Sequence, residues 1–357
     1  MADGDGRGTH PRDRFGSVAA ARSITVQVPG TCGELIQGSR QGIPFLVSCP
    51  IDAYSTVTVT LLADTQSSAD GASSPVPSAI TSRRAAQPPL GPQHPRPDSQ
   101  HAAPGSCVVL GPVDCQKATL ALEKVLRSLG AVGLRIELRV SSPLPRSKGF
   151  GSSTADIAGA IAAGGALVGQ PLEPIEIARL AVSIEPTDSS MLPGLAAFDH
   201  LQGSFHEKLG QPPPIFLAVL DFPGVVDTLE FNAVDHVAAR AAGEPELAEA
   251  LALLRRGVRD GRVDLIGRAT TLSAVANQRV LFKPELDAVR ELGRELGALG
   301  VNVGHSGTIV GLLFDHPDAA TRAIARARAQ FPSLESARAQ ALVGGGVRLH
   351  RGRSSLV

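Results

Sequence analysis

The sequence predicts an α+β protein of two domains. Three observations lead there. The apolar-alternating run Leu134–Val140 enters a Gly/Ser-rich turn and then a small-residue helical run, Ile157–Val168. The cluster Gln211-Pro212-Pro213-Pro214 breaks the pattern and is followed by a continuous apolar run, Ile215–Leu220. Helical periodicity then dominates until a strand, turn, strand, helix and strand close the chain. A chain of 357 residues suits two domains of ordinary size, expected at 23–210 and 211–357.

Residues 1–22 are polar and charged and are expected to be disordered, neither signal peptide nor anchor. Ile24–Val28 alternates as a half-buried strand and runs into Pro29-Gly30-Thr31-Cys32-Gly33-Glu34-Leu35-Ile36-Gln37-Gly38, where the glycines mark a tight loop carrying a carboxylate. Phe45–Val47 and Ser55–Leu62 read as further strands. From Asp64 to Ser106 the composition shifts to Ser, Pro, Ala, Gly and Gln, too poor in large apolar groups to offset its ordering entropy. It is expected to be a flexible insertion in a surface loop. Cys107–Leu110 resumes the sheet, and about 113–129 is an amphipathic helix with Ala118, Leu122, Val125 and Leu129 on one face.

Beyond the Gly/Ser turn and its helix, Pro174–Ile184 is a second helix begun by proline. The proline cluster at 212–214 is a natural hinge. Helical patterns cover 233–241, 244–257, 261–279 and 284–296. Val301–Phe314 reads as strand, Gly/Ser turn, strand, Pro317–Gln330 as a helix, and Gly346–His350 as a last strand.

Composition narrows the functions. Lys+Arg and Asp+Glu both number 34, so there is no basic excess of the kind a general nucleic-acid surface needs. No apolar run reaches membrane-spanning length. The cysteines Cys32, Cys49, Cys107 and Cys115 form no C-x-x-C pair, which fits a reducing, cytoplasmic compartment better than a disulfide framework. His200, His206 and Glu207 match no standard zinc spacing.

The chemistry centres on Pro145-Arg146-Ser147-Lys148-Gly149-Phe150-Gly151-Ser152-Ser153-Thr154-Ala155-Asp156. A strand, a Gly/Ser turn and a helix start present unpaired backbone amides and the positive end of the helix dipole, which together attract an anion. Gly149 and Gly151 allow close approach or positive φ. Ser152, Ser153 and Thr154 supply hydroxyls that can cap the helix or reach a metal ion. The turn is neither a P-loop nor a dinucleotide fingerprint, because no lysine follows Gly151 and Ser153-Thr154 stand where a third glycine is needed. Glu185 and Asp188, three residues apart after a helix, could serve a metal and a base.

Pro145-x-x-x-Gly149-Phe150-Gly151-Ser152-Ser153-Thr154-Ala155 resembles the ATP-binding motif of the GHMP kinases, Pro-x-x-x-Gly-Leu-Gly-Ser-Ser-Ala-Ala, with Phe150 and Thr154 as mild departures. The family's first and third motifs are matched in place by Pro29–Gly38 and Gly304–Gly311. Pro29–Gly38, with Thr31 where many mevalonate-type members carry lysine, and Glu185-Pro186-Thr187-Asp188 resemble the branch that phosphorylates L-threonine for the aminopropanol arm of cobalamin.

The resemblance implies two α+β domains, the first similar to domain 2 of ribosomal protein S5 and the second a ferredoxin-like sandwich, with the site between them. It implies ATP and Mg²⁺ as cofactors. Pro145, Lys148, Gly149, Phe150, Gly151, Ser152, Ser153 and Thr154 would hold the nucleotide, Ser152 or Ser153 with Glu185 the metal, and Asp188 would orient or deprotonate the acceptor hydroxyl. Glu34, Asp199, Gly304, His305, Ser306 and Gly307 are candidates for the acceptor pocket. The expected partner is a small molecule, L-threonine first and homoserine as the alternative, with no nucleic acid and no membrane; a homodimer is left open. A catalytically silent nucleotide or metabolite sensor is the competing reading from another class.

Overall fold

The computed structural model describes residues 22–63, 107–224 and 236–351. The expectations for the first 21 residues and for the 64–106 insertion lie outside the described residues.

β1 (Ser23–Arg40) and β2 (Ile43–Leu61) form one long antiparallel hairpin. Its two-residue connection puts Gln41 and Gly42 at φ 54° and 77°, the left-handed pair whose twist suits a hairpin. Glutamine is an unusual occupant there, so this turn gives little sequence signal. The stretch Pro29–Gly38, expected as a tight loop, lies inside β1. Its pairing with β2 slips between Pro29 and Thr31, between Thr31 and Glu34, and between Glu34 and Ile36. Each slip is a bulge that re-aims side chains without ending the strand. Glycines mark bulges as readily as turns, which is why the sequence suggests a loop.

β3 (Val108–Leu110) pairs in parallel with β4 (Arg135–Ser141), with α1 (Gln116–Ser128) crossing between them. β4 continues the sheet beyond β2. α2 (Ser152–Leu167) is buried on almost every side, and its small residues make that burial fit. A Cβ at Gly159 would stand 2.6 Å from the Val57 side chain, and one at Gly164 2.6 Å from Leu122. α3 (Pro174–Val182) begins with a reciprocal capping box between Glu173 and Glu176. The short strands β5 (Leu195–Phe198) and β6 (His206–Gly210), which the sequence does not announce, attach at Leu46 and Val47 of β2.

The second half contains β7 (Phe216–Asp221), β8 (Gly300–Val303), β9 (Ile309–Phe314) and β10 (Ser336–Ala341). Between β7 and β8 come α4 (Val237–Ala242), α5 (Glu244–Asp260), α6 (Val263–Asn277) and α7 (Leu286–Glu295); α8 (Pro317–Gln330) joins β9 to β10. The strand order is β10-β7-β9-β8 and every pairing is antiparallel. In chain order that is 4-1-3-2 with helical crossovers after the first and third strands, the ferredoxin-like arrangement that was expected. β10 escapes a sequence reading because Ser336-Ala337-Arg338-Ala339-Gln340-Ala341 holds no β-branched or aromatic residue.

The two halves join in one sheet, where β1 meets β8 at Glu34 opposite Val303. The chain end then returns to the first half: Leu342 bridges Ile51, and β11 (Arg348–Arg351) pairs with Ile24–Gln27. One hydrophobic core lies around α2 and the β1–β2 hairpin, and a second between β7–β9 and helices α7 and α8. Among the described residues no helix is long and apolar enough to cross a membrane.

Candidate active site

The seam between the halves opens into a cleft. One wall is the turn before α2. Gly151 takes φ 64° and ψ 21° and forms the N-cap, so the first amides of α2 emerge beside the cleft without a side-chain cap. Gly149 has φ 99°, and Ser147, a non-glycine residue, has φ 57°. The turn is laid across the bulged part of β1. Thr31 N–H donates to Phe150 O at 2.9 Å, Gly33 N–H to Gly149 O at 3.2 Å, and the Thr31 hydroxyl to Gly149 O at 3.3 Å. Those bonds fix the turn on β1 through its carbonyls, and the groups in it that suit an anion are the amides of the turn and the helix start.

The facing wall is the loop after α3. Glu185 accepts from the Ser153 hydroxyl and from the Lys117 ammonium. Thr187 is tied to Thr154, hydroxyl to hydroxyl at 3.2 Å, and its N–H donates to His200 O at 3.0 Å. Asp188 Oδ1 accepts from Ser190 N–H at 2.8 Å. Its Oδ2 lies against Gly151, 2.6 Å from where a Cβ would stand. Burial pushes the Asp188 carboxyl up to about 6, and the charge of Glu185 adds to this against hydrogen bonds from Ser190 and Thr154. Burial, reinforced by the charge of Asp188, raises Glu34 well above the usual carboxylate range. Glu34 lines the cleft, and its Oε2 is buried without a hydrogen-bond partner.

The floor comes from the β8–β9 turn and the β5–β6 connection. The His305 ring packs edge-on against His200 with centroids 5.0 Å apart, and its Nδ1 lies 2.9 Å from Gln37 Oε1. Burial, with the positive field of His200, Arg240, Lys283 and His236, holds His305 well below the usual histidine range, so it is neutral at neutral pH. The Lys283 ammonium donates to Gly307 O, and burial lowers it to about 8.

The cleft thus gathers Gly149 through Thr154, Glu185, Asp188, Glu34, His305 and Ser306 of the residues expected from the sequence. Others stand apart from it. Asp199 accepts from the N–H groups of Leu201, Gln202 and Ser204 and from the Ser204 hydroxyl, so its carboxylate shapes its own loop. These bonds hold it below the usual carboxylate range although burial opposes them. Gly307 supports the turn at 149 from behind, and Gly304 closes the end of β8. Pro145 and Lys148 do not line the cleft; the Lys148 ammonium is bonded to Glu335 and to Phe222 O. His206 is exposed on β6 and Glu207 pairs with Arg255, so neither joins His200.

Residues 116–196 match the GHMP kinases N terminal domain and residues 245–333 match GHMP kinases C terminal. The chain is 34% identical to the L-threonine kinase of Salmonella typhimurium over 294 residues, 81% of this chain and 82% of that one. The chain belongs to the GHMP kinases. A homoserine kinase of Moorella thermoacetica is similar at 26% identity over 53% of this chain and 66% of its own. The crystal structure of homoserine kinase from Cytophaga hutchinsonii shares the fold at TM-score 0.62 and 15% identity, over 94% of this chain and 100% of that one.

In this GHMP kinase three contacts around the cleft are not foreseen from the sequence. Lys117 reaches Glu185 from the start of α1, Thr31 hooks the turn, and Gln37 orients His305. Thr31 and Gln37 sit in the stretch taken as a loop, and only their place in a bulged strand explains their aim. Lys117 is one lysine among many on amphipathic helices and carries no local signature.

Proposed function

We propose that the chain transfers the γ-phosphoryl group of ATP to the side-chain hydroxyl of L-threonine. The observation that carries this is the packing of Asp188 Oδ2 against Gly151, which sets a proton acceptor beside the amides at the start of α2. Phosphoryl transfer asks for positioning and charge neutralisation more than covalent chemistry. The amides of 149–154 would cradle the phosphates, and Asp188 would orient the acceptor hydroxyl and take its proton. Thr154 supports the cradle through Thr187 rather than as a ligand. The partnerless Oε2 of Glu34 offers a place for an ammonium group, which favours an amino-acid acceptor. The 34% identity to a threonine kinase over most of both chains supports L-threonine, and O-phospho-L-threonine for cobalamin assembly is the product proposed.

The donor set near Ser153 suits Mg²⁺. One carboxylate and one hydroxyl are hard oxygen donors, and Mg²⁺ is held in kinases by one or two carboxylates together with substrate phosphates. Among the described residues no cluster of three or more His, Cys, Asp or Glu forms a closed cage. When bound, the ion would neutralise phosphate charge; Ser153 and Glu185 would hold it, and Lys117, now on Glu185, would be released toward the phosphates. Glu185→Gln is therefore expected to raise the Mg²⁺ concentration for half-maximal rate by about tenfold, read from turnover against added magnesium.

The acceptor is tested by ATP consumption with L-threonine, L-serine and L-homoserine. Consumption dependent on L-threonine is expected. Homoserine is the second reading, favoured by the homoserine kinase relative, and faster turnover with it would replace threonine. Acceptor-independent hydrolysis would remove the amino-acid assignment. A silent sensor has no use for both Glu185 and Asp188, and tight nucleotide binding without turnover would restore that reading.

A further inference from the structure

We propose that Lys148 is a positioning residue: it latches the ATP-binding turn to the C-terminal half of the protein and thereby sets nucleotide affinity. The proposal rests on the reading of the cleft as an ATP site. It adds to that reading a route by which the second half of the chain controls the phosphate cradle.

The latch has two hooks on one residue. The Lys148 ammonium donates to Glu335 Oε2 at 2.5 Å and to Phe222 O at 3.2 Å, and lies 3.6 Å from Asp221 Oδ1. The Lys148 carbonyl accepts from Thr308 N–H at 3.1 Å. Those partners are themselves joined. The Thr308 hydroxyl donates to Asp221 Oδ1 at 3.0 Å, and Glu335 N–H donates to Asp221 O at 2.9 Å. The end of β7, the β8–β9 turn and the start of β10 thus meet on one lysine. Its side chain is 13% exposed, against 57% for an open surface cation such as Arg40. A lysine buried without partners would lose its charge readily. Here the carboxylates outweigh burial and hold it above the ordinary lysine range.

Backbone strain says why a latch is needed. Ser147, just before Lys148, holds φ 57°, a left-handed conformation that is strained for a non-glycine residue. Such strain persists only where the surroundings over-determine it. Gly307 presses on the same place, since a Cβ there would stand 2.3 Å from Lys148 O and 2.5 Å from Gly149 N. Arg338 of β10 lies over the Phe150 ring at 5.6 Å and donates to Pro143 O at 3.3 Å. Contacts from the C-terminal half therefore flank the strained residue. The amides that follow it are the ones aimed into the cleft.

The experiment uses the full-length protein, a fluorescent ATP analogue for binding, and steady-state turnover. Lys148→Met is expected to weaken analogue binding about tenfold and Glu335→Gln about threefold, with the double variant no weaker than Lys148→Met, because both remove one interaction. The KM for the amino-acid acceptor should stay within about twofold, and Lys148→Arg should recover most of the affinity, since a longer cation still reaches Glu335. If Lys148 instead swings over to bind phosphate, Glu335→Gln frees it, and wild-type or tighter binding in that variant overturns the latch. Additive losses in the double variant overturn it too. Glu335 is 47% exposed, so Glu335→Gln gives a folded protein even where Lys148→Met lowers the melting temperature. A wild-type protein that does not bind the analogue overturns the ATP reading along with the latch, whereas a wild type that binds beside an unaffected Glu335→Gln overturns the latch alone.

Discussion

Asp188→Asn is expected to lower turnover by about 10²–10⁴-fold, the usual cost of losing a general base, while the KM for ATP changes little. Asparagine preserves the shape and can still accept from Ser190 N–H with its Oδ1. What it loses is the capacity to take a proton. The pH profile carries the same information. With the Asp188 carboxyl pushed up to about 6, chiefly by burial, its ionised fraction falls below that pH. Wild-type kcat/KM is therefore expected to climb roughly tenfold per pH unit below about 6 and to level above it. The Asn variant should lack that limb. A steep limb surviving in Asp188→Asn would assign the titration to another group, Glu34 first, since burial and the charge of Asp188 raise its carboxyl as well.

The same substitution has an opposite effect on stability. The folded protein holds the Asp188 proton more tightly than the unfolded chain does. The ionised carboxylate therefore destabilises the fold progressively as pH rises from the ordinary carboxylate range to about 6, and the cost is constant above it. Asp188→Asn is accordingly expected to raise the melting temperature at pH 8 and to leave it nearly unchanged near pH 4. A variant less active and more stable at neutral pH is the signature of a charge buried for function. A fall in stability at pH 8 would mean that the carboxylate holds the fold together.

Much of this site was legible in sequence because its parts are local. The Gly/Ser turn and helix start at 149–154 are written in consecutive residues, and Glu185 and Asp188 lie on one short loop. Helical patterns likewise gave α8 at its observed bounds and α1 and α3 to within three residues at each end. What was lost depends on pairing across the chain. Pro29–Gly38 looked like a loop because bulged strands and turns use the same residues, and only the register against β2 and the single pairing of Glu34 with Val303 tells them apart. Asp199 entered as an acceptor-pocket candidate through the family resemblance; in the fold its carboxylate takes three amides within five residues of it, a loop-shaping role that no motif announces. Lys148 sits in the motif by sequence but sends its ammonium to Glu335, 187 positions away, and no local pattern encodes that.

Gly151→Ala is expected to be the other severe change, and a second glycine shows why. Gly151 has φ 64° and ψ 21°, and Gly261, which ends α5, has φ 66° and ψ 21°. The two share one backbone conformation, so an added methyl group brings the same intrinsic strain, about 1 kcal/mol. Their surroundings differ. Nothing lies within 4 Å of a Cβ at Gly261, whereas at Gly151 it would stand 2.6 Å from Asp188 Oδ2 and 2.9 Å from Thr31 Oγ1. Gly261→Ala should cost that strain in stability and nothing in turnover. Gly151→Ala should add a displacement of Asp188 and of the Thr31 hook on the turn. Misplacing a catalytic group by about an ångström costs on the order of 10²-fold in rate. The difference between the two variants, in kcat at matched temperature, isolates the contact from the strain. Equal turnover in both would mean that Asp188 gives way freely, and the base would then have to be a group the cleft holds more firmly. A loss confined to Gly151→Ala, with the melting temperatures of the two variants close, would place the chemistry in the narrow space between the helix start and that carboxylate.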